Sequence, residues 1–146
     1  MNQSSTTRPP TWFWVISTIA LIWNLMGVAA FIAQVTMDPA SLAELDDAQR
    51  AFYEATPIWA TTAFAVAVFG GTLGCIALLL RKSWAFLMLA ICLAGIVVQI
   101  GHSLFIGDGI EVFGPQGLIL PALTFGIGLA LVWFARYSTD QGWLSS

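Results

Sequence analysis

Apolar residues run along this chain in four long blocks, and the charges are confined to the edges of those blocks. No charged side chain falls between Arg8 and Asp38, between Glu54 and Arg81, between Lys82 and Asp108, or between Glu111 and Arg136. A charge at the centre of a bilayer-spanning helix costs about 2.5–3.5 kcal/mol. About 20 apolar residues cross the hydrocarbon core. Each block reaches that length. The pattern predicts an all-α membrane protein: an antiparallel bundle of four transmembrane helices at about 11–36, 57–80, 83–106 and 117–137. Residues 1–10 and 138–146 read as short tails. The first block exceeds the roughly 7–15 apolar residues of a secretory signal, so it reads as an uncleaved first helix.

Local residues sharpen the ends. Pro9-Pro10 stops the first helix from extending backwards. The short turn at 81–83 makes helices 2 and 3 a tight antiparallel hairpin. Pro121 falls in the first turns of helix 4, where a missing N–H is tolerated or bends the helix. Gly107-Asp108-Gly109 and Gly114-Pro115-Gln116-Gly117 read as turns. The segment 37–56 predicts a short amphipathic helix at about 39–54, capped either by Asp38 with Pro39 at its first position or by a box of Ser41 and Glu44. Leu42, Leu45, Phe52 and Tyr53 share one face of it. Such a helix either packs the bundle shut or gates a cavity.

Composition agrees: 58% of the residues are hydrophobic and 9% charged, against about 25% charged in a soluble domain. The charges also give a direction. Arg8, Arg81, Lys82 and Arg136 lie on one side. The other side carries Arg50 with Asp38, Glu44, Asp46, Asp47, Glu54, Asp108 and Glu111. Positive residues stay inside, so both termini are expected in the cytoplasm of a cell with one inner membrane to cross. Trp12, Trp14, Trp84 and Trp133 fall near that boundary and Trp59 near the other, as interfacial indoles do. No basic cluster suggests nucleic acid. The partner implied by composition is the lipid bilayer.

Helix 2 has a smooth face of Ala60, Ala63, Ala67, Gly70, Gly71, Gly74 and Ala77. Helix 4 has a lesser one in Ala122, Gly126 and Ala130. Small residues let backbones approach where no hydrophobic force drives association. Gly70, Gly74 and Gly126 are therefore candidates for helix packing within the chain or for a homo-oligomer seam. Phe69-Gly70 and Phe125-Gly126 hold similar places, as an internal repeat would have them.

Polar groups inside the blocks are few. Helix 1 carries Ser17, Asn24, Gly27 and Gln34; helix 3 carries Cys92, Gly95, Gln99, His102 and Ser103. Lipid offers these groups no partner, so they bond across helices or line a cavity. The candidate substrate site is an outward cavity bounded by Gln34, Tyr53, Gln99 and His102, with Asn24 deeper. Cys75 and Cys92 read as packing residues, and one histidine with two membrane-embedded cysteines cannot close a zinc site. No cofactor is implied. No carboxylate lies within a span, which argues against a proton-coupled exporter. HExxH, GxSxG, P-loop and CxxC patterns are missing, and the chain reads as a non-enzyme. The competing enzyme reading pairs His102 with Glu54 or Asp108.

At Trp23-Asn-Leu-Met-Gly27, Phe64-Ala-Val-Ala-Val-Phe-Gly-Gly-Thr-Leu-Gly74 and Leu78-Leu-Leu-Arg-Lys-Ser-Trp-Ala85, the chain resembles a group of small bacterial four-helix membrane proteins often labelled sugar transporters. The resemblance spans about residues 12–136. It implies a bacterial inner membrane and binding or transport of a small neutral solute, with a homo-oligomer or larger membrane complex as context. The alternative is a non-catalytic accessory subunit that docks through the Gly/Ala face of helix 2.

Overall fold

The structure, a computed structural model, describes residues 7–107 and 109–145. Seven α-helices follow in order: α1 Thr11–Val35, α2 Pro39–Glu44, α3 Asp47–Ala55, α4 Ile58–Leu79, α5 Ala85–Gly101, α6 Gly109–Phe113 and α7 Ile119–Asp140. A π-helical turn, His102–Ile106, continues α5, and a 3-10 turn, Pro115–Leu118, leads into α7. Four of these segments are long and apolar enough to cross a membrane. The chain is an all-α, multi-pass membrane protein. α4 packs between α1 and α5, and α7 packs on the far side of α5.

The spans start and stop where local chemistry dictates. Pro10 is extended and precedes α1. Asp38 accepts a hydrogen bond from Ser41 N at 2.7 Å, with Pro39 at the first helical position. Asp38, not the Ser41 box, is thus the cap. The single outer helix expected at 39–54 is two helices. Asp46 captures the N–H of Gln49 at 2.7 Å and starts a second one. The Arg50 guanidinium closes the first by donating to the carbonyls of Leu42, Ala43 and Leu45. The expected span ending at 106 leaves α-helical geometry at His102, and the last helix runs to Asp140 rather than 137.

The end bearing Arg81 and both described chain ends, here the basic end, is tied together by backbone. α4 and α7 finish with the same cap. Lys82 N donates to Ala77 O and Arg81 N to Leu78 O; Trp143 N donates to Ser138 O and Gly142 N to Thr139 O. Both are Schellman motifs, which place one residue in the left-handed region. Gly142 supplies φ 76° without cost, but at the other cap the residue is Arg81, φ 57°. A side chain there costs about 1–2 kcal/mol. What Arg81 gives in return is visible: Nε donates to Trp143 O and an Nη to Thr7 O, each at 2.9 Å. Ser145 N reaches Arg81 O at 2.8 Å, and Ser83 N reaches Ser145 O at 2.9 Å. The segment expected as a loose tail is therefore a plug. Trp143 and Leu144 are buried with Phe13, Leu78, Leu89 and Phe134. Trp12 and Phe13 meet Phe134 at ring distances of 5.9 and 5.6 Å, which joins α1 to α7 at this end. Ser17 and Ser138 bury hydroxyls that find no partner among the described residues.

Candidate functional site

Away from that plug, α1 and α7 are separated by a cavity of about 350 Å³. Trp23, Met26, Gly27 and Ala30 of α1 face Leu120, Thr124, Ile127 and Leu131 of α7 across it. Ala67 of α4 and Cys92, Ile96 and Gln99 of α5 form its back wall. From Leu120 to Leu131 the helical rise makes the slot about 16 Å long. Its lining is mainly apolar, and no charged residue belongs to it among the described residues. The polar groups that reach it are Asn24, Gln99, Ser103 and Thr124, with the thiol of Cys92. The Thr124 hydroxyl donates back to Leu120 O at 2.8 Å.

Asn24 is held at the deep end. Its Nδ2 donates to Ala20 O at 2.9 Å and lies 3.5 Å from Cys75 Sγ. Its Oδ1 lies over Gly71, where a Cβ would collide with it. The glycine is thus needed for the amide to fit. Gly74 is needed for another reason, since a Cβ there would come within 2.6 Å of Leu89 Cγ. At Gly70 a Cβ would meet only ordinary contacts, 3.5 Å from Cys92 N and Met88 O.

The five residues expected to form one site lie in three places. Asn24 and Gln99 share the slot. Gln34 and Tyr53 line a separate cleft of about 180 Å³ at the acidic end, with Glu54 and Thr61. His102 lines neither. It is buried at the start of the π turn, edge-on to Trp59 at 5.2 Å and 6.4 Å from the Phe52 ring. Phe52 in turn packs on Phe113 at 5.2 Å, so α3 is seated by aromatic contact. No ion pair of His102 with a carboxylate is found among the described residues, and Asp108 lies outside them.

The smooth face of the second span is consumed inside the molecule. Ala60, Ala63, Ala67, Gly70, Gly71, Gly74 and Ala77 are all buried in α4. The expected docking of a partner through that face is corrected: α1 and α5 occupy it. Gly126 takes no part in packing within the chain, for a Cβ there would meet nothing within 4 Å. Gly70 and Gly126 therefore sit in opposite environments, unlike equivalent positions of a repeat.

Asn24 and Gln99 are legible in the sequence from their cost in lipid, as are Cys92 and Ser103 on the stripe that runs from α5 into the π turn. The α7 wall left no such mark, for its only signal is Pro121 and Thr124 in an otherwise apolar stretch from Ile119 to Ala135. Comparison of the chain with known protein-family models, curated proteins and solved structures found no match.

Proposed function

We propose that this chain binds a small, neutral, largely apolar solute in the slot between α1 and α7, loaded sideways from the bilayer. The observation that carries this reading is the uncharged cavity reaching Asn24 between two spans that meet at one end only. Its volume falls within the roughly 300–1,000 Å³ of small-molecule sites. Burial of apolar ligand surface supplies the affinity, and the few polar groups supply orientation. The aromatic plug beyond Leu131 favours binding from one side over passage through the chain. A sugar, the solute in the label of the resembling group, is a poor partner for such walls, because each of its hydroxyls would need a hydrogen bond.

Native mass spectrometry of the chain released from detergent micelles tests the reading. A small neutral adduct is expected on the wild type and not on Thr124→Trp, whose indole fills the slot. Equal retention by both proteins, or none by either, refutes it.

The orientation belongs to the same proposal: the basic end faces the cytoplasm of a bacterial inner membrane. The charge asymmetry supports it. An impermeant thiol reagent applied outside the cell is expected to label Asp47→Cys. Labelling only after the membrane is opened would reverse the orientation.

A further inference from the structure

If the slot binds a small molecule, as proposed above, one atom of Asn24 sets which kind. Asn24 is only 7% exposed, and its amide can point only one way. Nδ2 must face the Ala20 carbonyl, because turning the amide over would set two acceptors against each other. Oδ1 is thereby fixed on the opposite side, above Gly71 and next to Cys92, which lines the slot with it. Among the described residues no group donates to Oδ1 within hydrogen-bond distance. The nearby thiol is a weak donor at best. Unlike the sealed Ser17 and Ser138 hydroxyls, Oδ1 keeps an accessible face, and an acceptor left there without a partner is costly because lipid cannot supply one.

The rest of the wall narrows the ligand further. With no cation among the described lining residues, a carboxylate or phosphate would enter without a counter-charge; with no anion among them, an ammonium would do the same. Between Cys92 and Gln99 the helical rise leaves a stretch of about 10 Å, walled by Ile96, Ala67 and Ile127. Polar contact resumes at Gln99 and Ser103.

We propose that the slot selects neutral amphiphiles whose buried end donates a hydrogen bond to Asn24 Oδ1. Alcohols, phenols and N–H compounds fit; ethers, ketones and anions of the same shape do not.

Decanol and its isomer methyl nonyl ether make the test. They have the same atoms and nearly the same shape, and only the alcohol donates. Saturable binding of each is measured on the purified full-length protein in detergent, for the wild type and for Asn24→Leu. The leucine variant removes Oδ1 and leaves partition into the micelle unchanged, so its alcohol-to-ether ratio is the reference. The wild-type ratio is expected to exceed that reference about five- to tenfold, the worth of one hydrogen bond. The wild type alone also answers, once each affinity is corrected for partition into empty micelles, so the test survives a variant that does not fold. Equal ratios in both proteins, or an equal corrected affinity for the two isomers, overturn donor selection and leave the binding site standing. No saturable binding of either isomer overturns the binding role and this inference together.

Discussion

At the basic end Phe13, Cys75, Leu78 and Ala135 are fully sealed; backbone hydrogen bonds tie Ser145 to the 81–83 turn, and the Arg81 guanidinium ties Thr7 and Trp143 to it. At the acidic end α1 and α7 stand apart, α5 unwinds into a π turn, and short helices bridge the gaps. The four spans are similarly apolar, with mean hydropathies of 2.1 to 2.2, so hydrophobicity does not explain the difference. In a bilayer, lipid tails solvate leucine as well as another helix does, and association must come from packing and hydrogen bonds. The basic end has both, in interlocking aromatic rings and paired Schellman caps. The acidic end has aromatic contacts through Phe52, Trp59 and Phe113, but nothing that draws α7 onto α1. The cavity lies where that linkage is missing.

Truncation separates the two ends most strongly. Phe13→Ala is expected to cost about 3–5 kcal/mol, while Leu120→Ala, at the slot mouth and 62% exposed, stays within about 0.5 kcal/mol. Denaturant unfolding in mixed micelles measures both; similar costs would mean that the ends are equally packed. The seat of Asn24 comes next. Gly71→Ala is expected to destabilise by about 1–3 kcal/mol through overpacking. The same change should cost much less on an Asn24→Ala background, where the closest remaining approach of a Cβ is 3.1 Å, to Cys92 Sγ. A double-mutant cycle that came out additive would show that Gly71 does not serve the amide.

At the cap of α4 the comparison concerns backbone strain against clamping. Arg81→Ala loses the bonds to Thr7 and Trp143 and keeps a side chain at positive φ. Arg81→Gly loses the same bonds and removes the strain, so it should be the more stable of the two by about 1 kcal/mol. If alanine equals glycine in thermal unfolding, the left-handed conformation stores nothing. The smallest effect is expected at the outer helix. The Ser41 backbone N–H, and its side chain after it, hold the Asp38 carboxyl below its ordinary range. A lowered folded value means that the cap is fully present above the ordinary carboxylate pKa of about 3.9 and is lost as pH falls through the folded value. The protection of the Ser41 amide against hydrogen exchange, taken relative to its intrinsic rate at each pH, should therefore fall only in acid. Protection that stays constant across that window would show that the carboxylate does not hold α2.

Much of this fold is legible in the residues, and the reasons are local. The four spans follow from the cost of charge in lipid. The start of α2 follows from Asp38-Pro39, and the closeness of α4 to its neighbours follows from its run of glycine and alanine. The break between α2 and α3 was open to the same reading, since Asp46 is as good a cap as Asp38. The plug at 141–145 left a fainter trace: Gly142 after a helix, followed by Trp143 and Leu144.

The amino-acid sequence by itself determined how many times the chain can cross a membrane and which polar groups would need partners there. Those are properties of single side chains set against a uniform apolar solvent. Only the tertiary structure decided which polar groups share a site. Asn24 and Gln34 belong to one helix yet line different cavities, while Asn24 and Gln99, on different helices, face the same slot. That outcome depends on where α7 leaves α1, and so on aromatic contacts and backbone caps at the opposite end of the bundle. No single residue's affinity for lipid encodes such a geometry.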